Sequence, residues 1–139
     1  METKIKVTAM SHNELVDLLS TALYGSQWFA ASYDKKIYES LDCVTGECFE
    51  DKLADMLLAG HKISITDIEA DGETHSDKFV RFEGRYDDAV YEVGLNDFLE
   101  VASTPRGYKL IEDVLSGEGD YYTADAFLQR VVFGEEIYG

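Results

Sequence analysis

The stretch Lys62-Ile63-Ser64-Ile65-Thr66-Asp67-Ile68-Glu69-Ala70 decides the fold, because it alternates apolar and polar residues with the period of a half-buried strand. Ile63, Ile65 and Ile68 are its apolar positions, and Asp71-Gly72 behind them is a turn signal. Phe79 to Tyr86 and Ala89 to Leu95 continue the β character on either side of Tyr86-Asp87-Asp88. These runs predict an antiparallel meander.

On the N-terminal side, Ser11 with Glu14 three residues later forms a capping box. Leu15, Leu18, Leu19, Ala22 and Leu23 then recur at helical spacing until Gly25. Trp28-Phe29 after this helix is expected to close an edge of the core. Phe49 to Ala59 reads as a second helix, with Phe49, Leu53, Met56 and Leu57 on one stripe and Gly60 as its stop. Lys4 to Thr8 reads as a short edge strand, and Ile37 to Leu41 as a candidate strand. On the C-terminal side, Asn96 is expected to cap a short helix through Phe98, Leu99 and Val101 that ends before Pro105. Leu110 to Leu115 adds a further helical turn or two. Thr123 is a plausible cap for a last helix that uses Ala126, Phe127, Val131 and Phe133 before Gly134. Clusters of helices and strands, rather than regular βαβ alternation, favour one α+β domain over residues 1–139, with helices packed on one face of an antiparallel sheet.

The chain carries 28 acidic against 12 Lys and Arg residues, a formal charge of −16 over 139 residues. Such a surface repels nucleic acid, which is bound by neutralising phosphates, and attracts basic proteins. Disorder is the usual alternative for an acidic chain, but seven Phe, nine Tyr and one Trp supply the material of a core. The N-terminus has no apolar run behind a positive start, and no apolar stretch approaches the roughly 20 residues of a membrane span. A soluble intracellular, cytoplasmic protein is the expectation. Cys43 and Cys48 flank a Thr45-Gly46-Glu47 turn; a hairpin disulfide is geometrically possible, and reduced thiols are favoured in that compartment.

Reaction chemistry finds little support. Asp67, Glu69, Asp71 and Gly72 imitate the opening of a calcium loop, but its twelfth position, where a bidentate Glu belongs, is Lys78. An acidic hairpin turn explains them better. His12, His61 and His75 fall in different elements without ligand spacing, and the cysteine pair lacks the two-residue gap of redox and zinc motifs. No nucleophile elbow or phosphate loop is present. Paired carboxylates are abundant in any acidic chain and do not by themselves indicate a glycosidase. The expectation is therefore a non-enzymatic protein with no cofactor and no metal.

Inverting the charge argument gives a surface. Carboxylates three or four residues apart on a helix are about 5 to 6 Å from one another, comparable with successive phosphates on a strand. The candidate contributors are Asp87, Asp88, Glu92, Asp97, Glu100, Glu112, Asp113, Glu118, Asp120, Glu135 and Glu136. Tyr86, Tyr121, Tyr122 and Tyr138 lie among them as apolar anchors.

The segment Leu15-Val16-Asp17-Leu18-Leu19 running into Thr21-Ala22-Leu23-Tyr24-Gly25 and a Trp, with the closing Asp125-Ala126 to Gly139, resembles a family of small acidic proteins in bacteriophages and mobile elements of Firmicutes. Gln129-Arg130-Val131-Val132-Phe133-Gly134-Glu135 is the most specific part of the resemblance, and residues 73–88 look like an insertion. The resemblance implies a phage or prophage setting and no catalytic residue. Small acidic phage proteins include inhibitors of host defence, anti-CRISPR proteins among them. The leading expectation is thus an anti-defence inhibitor that binds a basic host protein, such as a CRISPR effector nuclease, by charge mimicry, without touching nucleic acid or membrane. The alternatives are a sponge for a signalling nucleotide, which requires Arg81, Arg85, Arg106 or Arg130 to converge, a structural or regulatory phage protein, and an enzyme with a dispersed site.

Overall fold

The computed structural model describes residues 6–42, 44 and 46–139. Its elements in chain order are α1 (His12–Gly25), β1 (Phe29–Ser32), α2 (Lys35–Glu39), α3 (Phe49–Leu58), β2 (Ile63–Asp67), β3 (Phe79–Glu83), β4 (Asp88–Val93), α4 (Leu95–Ala102), α5 (Pro105–Leu115) and α6 (Tyr121–Phe133). The α+β reading holds: four antiparallel strands form a sheet against which helices pack. The strand order is β1-β2-β4-β3, so the sheet is not a sequential meander. β4 inserts between β2 and β3 because four of its six residues are apolar, on both faces of the strand. Ala89, Val90, Tyr91 and Val93 are all buried, and a strand so covered belongs in the middle of a sheet. β3 takes the edge instead. The acidic turn at Asp71-Gly72 consequently belongs to a crossing loop rather than a hairpin, and Asp71 and Gly72 both adopt positive φ there.

α1 forms as the capping box predicts. Ser11 Oγ accepts the Glu14 N–H at 3.1 Å, and Glu14 Oε1 accepts the Ser11 N–H at 2.9 Å. Leu15, Leu18, Leu19 and Ala22 are buried on its inner face, which meets α6 and α3. Leu19→Ala should therefore cost about 2 to 5 kcal/mol in a denaturant titration, the range for truncating a fully enclosed leucine. A change below about 1 kcal/mol would mean that the α1–α6 seam closes around the gap.

α6 is the hub of the helical layer, packed against α1, α4, α5 and β4. Its end is a left-handed Gly134 at φ 81°, the backbone conformation that glycine adopts without a Cβ penalty. From there the tail folds back over the sheet. Trp28 lies beneath it with Phe133 at 5.0 Å and Tyr138 at 5.7 Å between ring centroids, and the aromatic contacts continue from Phe133 to Tyr91 at 5.2 Å. The Trp28-Phe29 pair thus closes the core edge, as expected.

Several local expectations are corrected. Ile37 to Leu41 is not a strand: Asp34 Oδ1 accepts the Lys36 and Ile37 N–H groups at 2.9 and 3.2 Å and starts α2. The strand is Phe29–Ser32. Lys6 to Thr8 has no strand partner among the described residues, and Val7 N–H instead meets Ser103 Oγ at 2.8 Å; Lys4 and Ile5 lie outside the described residues. Phe49 opens α3 but is 40% exposed, resting against Tyr33 rather than in the core stripe. Ile68 is also exposed, because β2 keeps its two-residue period and turns Asp67 inward in its place. Asn96 does not cap α4: the Asp97 carboxylate folds back onto the Gly94 N–H at 2.8 Å. Thr123 is likewise inside α6, whose cap is Asp120. α4 does end before Pro105, at Ala102, and Pro105 is the first residue of α5 behind the Thr104 cap. Cys48 is exposed, and its pairing with Cys43 falls on a residue outside the described set.

Candidate docking surface

The fold sorts the predicted contact residues into three groups. Asp87 and Asp88 stand at the β3–β4 hairpin turn beside Tyr86, which is 70% exposed and has the Arg85 guanidinium over its ring at 5.8 Å. Asp87 takes φ 52° there, which an aspartate tolerates, and its carbonyl accepts the Gly72 N–H at 3.1 Å. Glu92, Asp97 and Glu100 line a hollow of about 490 Å³ together with Lys62 and Lys78. Asp97 is held in place by its helix-start bond and by Lys78 Nζ at 3.9 Å.

The third group forms a groove. Tyr121, Tyr122 and Tyr138 surround a hollow of about 440 Å³, and Asp113, Tyr122, Glu136 and Tyr138 surround an adjoining one of about 360 Å³. Tyr122, Asp125 and Tyr138 are common to both. Tyr121 and Tyr122 stack with centroids 4.1 Å apart, and Tyr122 is 61% exposed. Gly25 is what lets Tyr121 lie there, because a Cβ at position 25 would collide with the Tyr121 ring. Its role is close approach, not a left-handed helix stop. Glu112, Glu118 and Glu135 are exposed outside the groove.

Asp120 and Glu136, like Asp97, have structural duties. Asp120 caps α6 through the Tyr122 and Thr123 N–H groups at 3.1 and 3.2 Å. Glu136 is clamped by Arg106 Nη2 at 3.0 Å and Arg130 Nε at 2.7 Å. Those hydrogen bonds, Arg106 first, hold its carboxyl below the usual range against the opposing effect of burial. A lowered carboxylate stabilises the fold above its unfolded-state pKa and loses that contribution as pH falls through the folded value. Glu136 is therefore removed from the set of acids free to contact a partner.

Tyr138 is a latch as well as a groove wall. Its hydroxyl donates to Asp67 Oδ2 at 2.7 Å, while Asp67 Oδ1 accepts the Glu69 N–H at 2.9 Å. Burial raises the Asp67 carboxyl above its ordinary range, and the two hydrogen bonds only partly counter it. Burial and the Asp67 charge raise the Tyr138 phenol in turn. A raised carboxyl stabilises the fold below its unfolded-state pKa and loses that contribution as pH climbs through the folded value. Asp67→Asn should accordingly raise the melting temperature at pH 7, with the gain shrinking as pH falls and vanishing only well below the ordinary aspartate pKa of about 3.9, where the wild-type group is protonated in both states. A variant less stable at pH 7 would show that the hydrogen bonds to the carboxylate outweigh its burial. The first residue of the calcium-like motif is thus a core contact of the tail.

Sequence reasoning missed the residues that build the groove floor. Gln129 is buried and makes four bonds: its amide nitrogen donates to Asp125 Oδ1 and to the Tyr138 carbonyl, both at 3.1 Å, and its oxygen accepts the Ile137 and Tyr138 N–H groups, both at 2.8 Å. Asp125 Oδ1 also accepts the Trp28 indole N–H at 2.6 Å. The one signal in the sequence was the four-residue spacing of Asp125 and Gln129, which puts both on one face of α6. Elsewhere, His12 Nε2 of α1 lies 3.4 Å from Asp51 Oδ1 and 3.6 Å from Asp55 Oδ1 of α3. Among the described residues no group of three or more His, Cys, Asp or Glu side chains is arranged to hold a metal ion, and no helix is long and apolar enough to cross a membrane.

The four arginines do not gather. Arg106 and Arg130 meet on Glu136, Arg81 pairs with Glu83 on β3 at 2.6 Å, and Arg85 rests over Tyr86 at the hairpin. No family model, curated protein or solved structure matches the chain.

Proposed function

We propose that this protein is a non-enzymatic, acidic docking protein of the anti-defence type, acting in the host cytoplasm by occupying the basic nucleic-acid channel of a host nuclease. The observation that carries the reading is the groove in which exposed tyrosine faces adjoin carboxylates: charge supplies attraction and steering, and the rings supply the desolvated contact that charge alone lacks. The phage resemblance of the closing stretch supports the setting. The separation of the arginines weighs against a nucleotide sponge, because two of them are already neutralised by Glu136 and a phosphate would have to displace that carboxylate.

The test is competition. Pull-down from host lysate should retain a basic nucleic-acid-binding protein at low salt and release it at high salt, and inhibition of its cleavage should fall as nucleic acid is added. Reversing Glu112 and Asp113 together, or Asp87 and Asp88 together, should weaken inhibition by about tenfold while the fold survives. Glu135 with Glu136 is a poor choice, since removing Glu136 would free two arginines as well. Undiminished inhibition by both double variants, or equal binding to a nuclease already loaded with nucleic acid, would sink the charge-mimicry reading.

A further inference from the structure

We propose that the hollow between the end of α1, the start of α6 and the tail is the seat of one arginine side chain of the basic partner. The assignment rests on the docking reading above and gives it a defined anchor. Trp28, Tyr121, Tyr122 and Tyr138 supply its aromatic walls and Glu69 and Asp125 its charge, and no Lys, Arg or His lines it. Among the described residues neither carboxylate is in a salt bridge. Asp125 directs one oxygen to both of its donors, Trp28 and Gln129, leaving the other without a hydrogen bond among the described residues.

The adjoining hollow differs in kind. It contains Arg106, already held by Glu136, so an incoming cation there would have to compete with a resident one. In the Trp28 hollow nothing has to be displaced. A planar guanidinium suits it better than an ammonium because it can lie on a ring face while its edge N–H groups meet carboxylate oxygens. The outer part of Tyr122 is open for such stacking, and the site is held ready. Tyr121 is seated over Gly25, and Tyr138 is fixed by Gln129 through its backbone and by Asp67 through its hydroxyl. A site built before the ligand arrives loses less on ordering.

The experiment is a titration of the full, isotope-labelled chain with acetyl-Gly-Arg-Gly-amide, followed by amide and indole N–H resonances. Trp28 is the chain's only tryptophan, so its indole signal is an unambiguous reporter. Shifts should concentrate at Trp28, Tyr121 and Tyr122, be lost with the uncharged citrulline peptide, and weaken at least about threefold in Tyr122→Ala and in Glu69→Gln. Both substitutions lie at exposed positions, so the fold should persist. Equal responses to arginine and citrulline, or shifts as large around Glu92 and Glu100 as around Trp28, would overturn the assignment. Partner capture separates the two levels. Salt-sensitive capture by the wild type and by Tyr122→Ala alike, without peptide shifts, would reject the arginine seat and leave the docking reading standing. Peptide shifts at Trp28 without capture of any basic partner would uphold the seat and reject the docking reading.

Discussion

Gly107→Ala is expected to lower stability by on the order of 3 kcal/mol, or about 10 °C in melting temperature for a chain of this size. Gly107 lies in the first turn of α5, and a Cβ there would run into the Val101 carbonyl at the end of α4. The obstacle is backbone, so no rotamer change can relieve it. The corner is also tightly bonded: Thr104 Oγ1 accepts the Gly107 N–H at 3.0 Å and donates to the Val101 carbonyl at 2.7 Å. Moving α5 away from α4 would break both contacts and disturb α6, against which both helices pack. Gly60→Ala is the matched control. Gly60 has positive φ, but a Cβ added there would meet nothing within 4 Å, so only the backbone penalty of about 1 kcal/mol applies. Equal losses in the two variants, measured by thermal and denaturant unfolding, would show that the α4–α5 corner opens at little cost.

Gln129→Leu should cost about 2 to 4 kcal/mol, because it roughly keeps the volume and removes every bond through which this side chain closes the tail. The Ile137 and Tyr138 N–H groups would lose their acceptor, and Asp125 one of its donors. The expected consequence is release of Tyr138 from Trp28, followed by loss of the Tyr138 bond to the buried Asp67. Tryptophan fluorescence reports the first step and unfolding the total. Gln129→Glu retains the acceptor oxygen for the two backbone donors and should lose less at low pH than at neutral pH, where its charge faces Asp125. A Gln129→Leu protein with wild-type stability and unchanged fluorescence would mean that ring packing alone secures the tail.

The regular elements with a complete local signal were legible. α1 carries its capping box and leucine stripe within one stretch of chain, β2 carries an alternating apolar period, and β4 carries a short apolar run. Strand order was less so, because it depends on which strand has most apolar surface to hide from both sides. That is a comparison among segments rather than a property of one. Helix starts were misplaced where a nearby carboxylate sets the first turn earlier in the chain, as Asp97 does by folding back onto the Gly94 N–H and Asp120 by accepting the Tyr122 and Thr123 N–H groups. The tyrosines and acids near the C-terminus were legible as a candidate contact set, but not which of them, such as Asp120 and Glu136, are already bonded within the fold.

That division marks the boundary between the two levels. The amino-acid sequence by itself determined the α+β class, the excess of negative charge, the main helical and strand segments and the absence of a local catalytic signature, since each follows from residue types and their near-neighbour spacing. Only the tertiary structure decided that Asp67 faces the core, that Glu136 belongs to two arginines, that Gly25 and Gly107 are glycines because other atoms occupy their Cβ positions, and that Gln129 ties the tail over Trp28. The physical reason is range: periodicity and capping act within a few residues, whereas burial, ion pairing and steric exclusion are set by whichever distant groups the packed chain brings within a few ångströms.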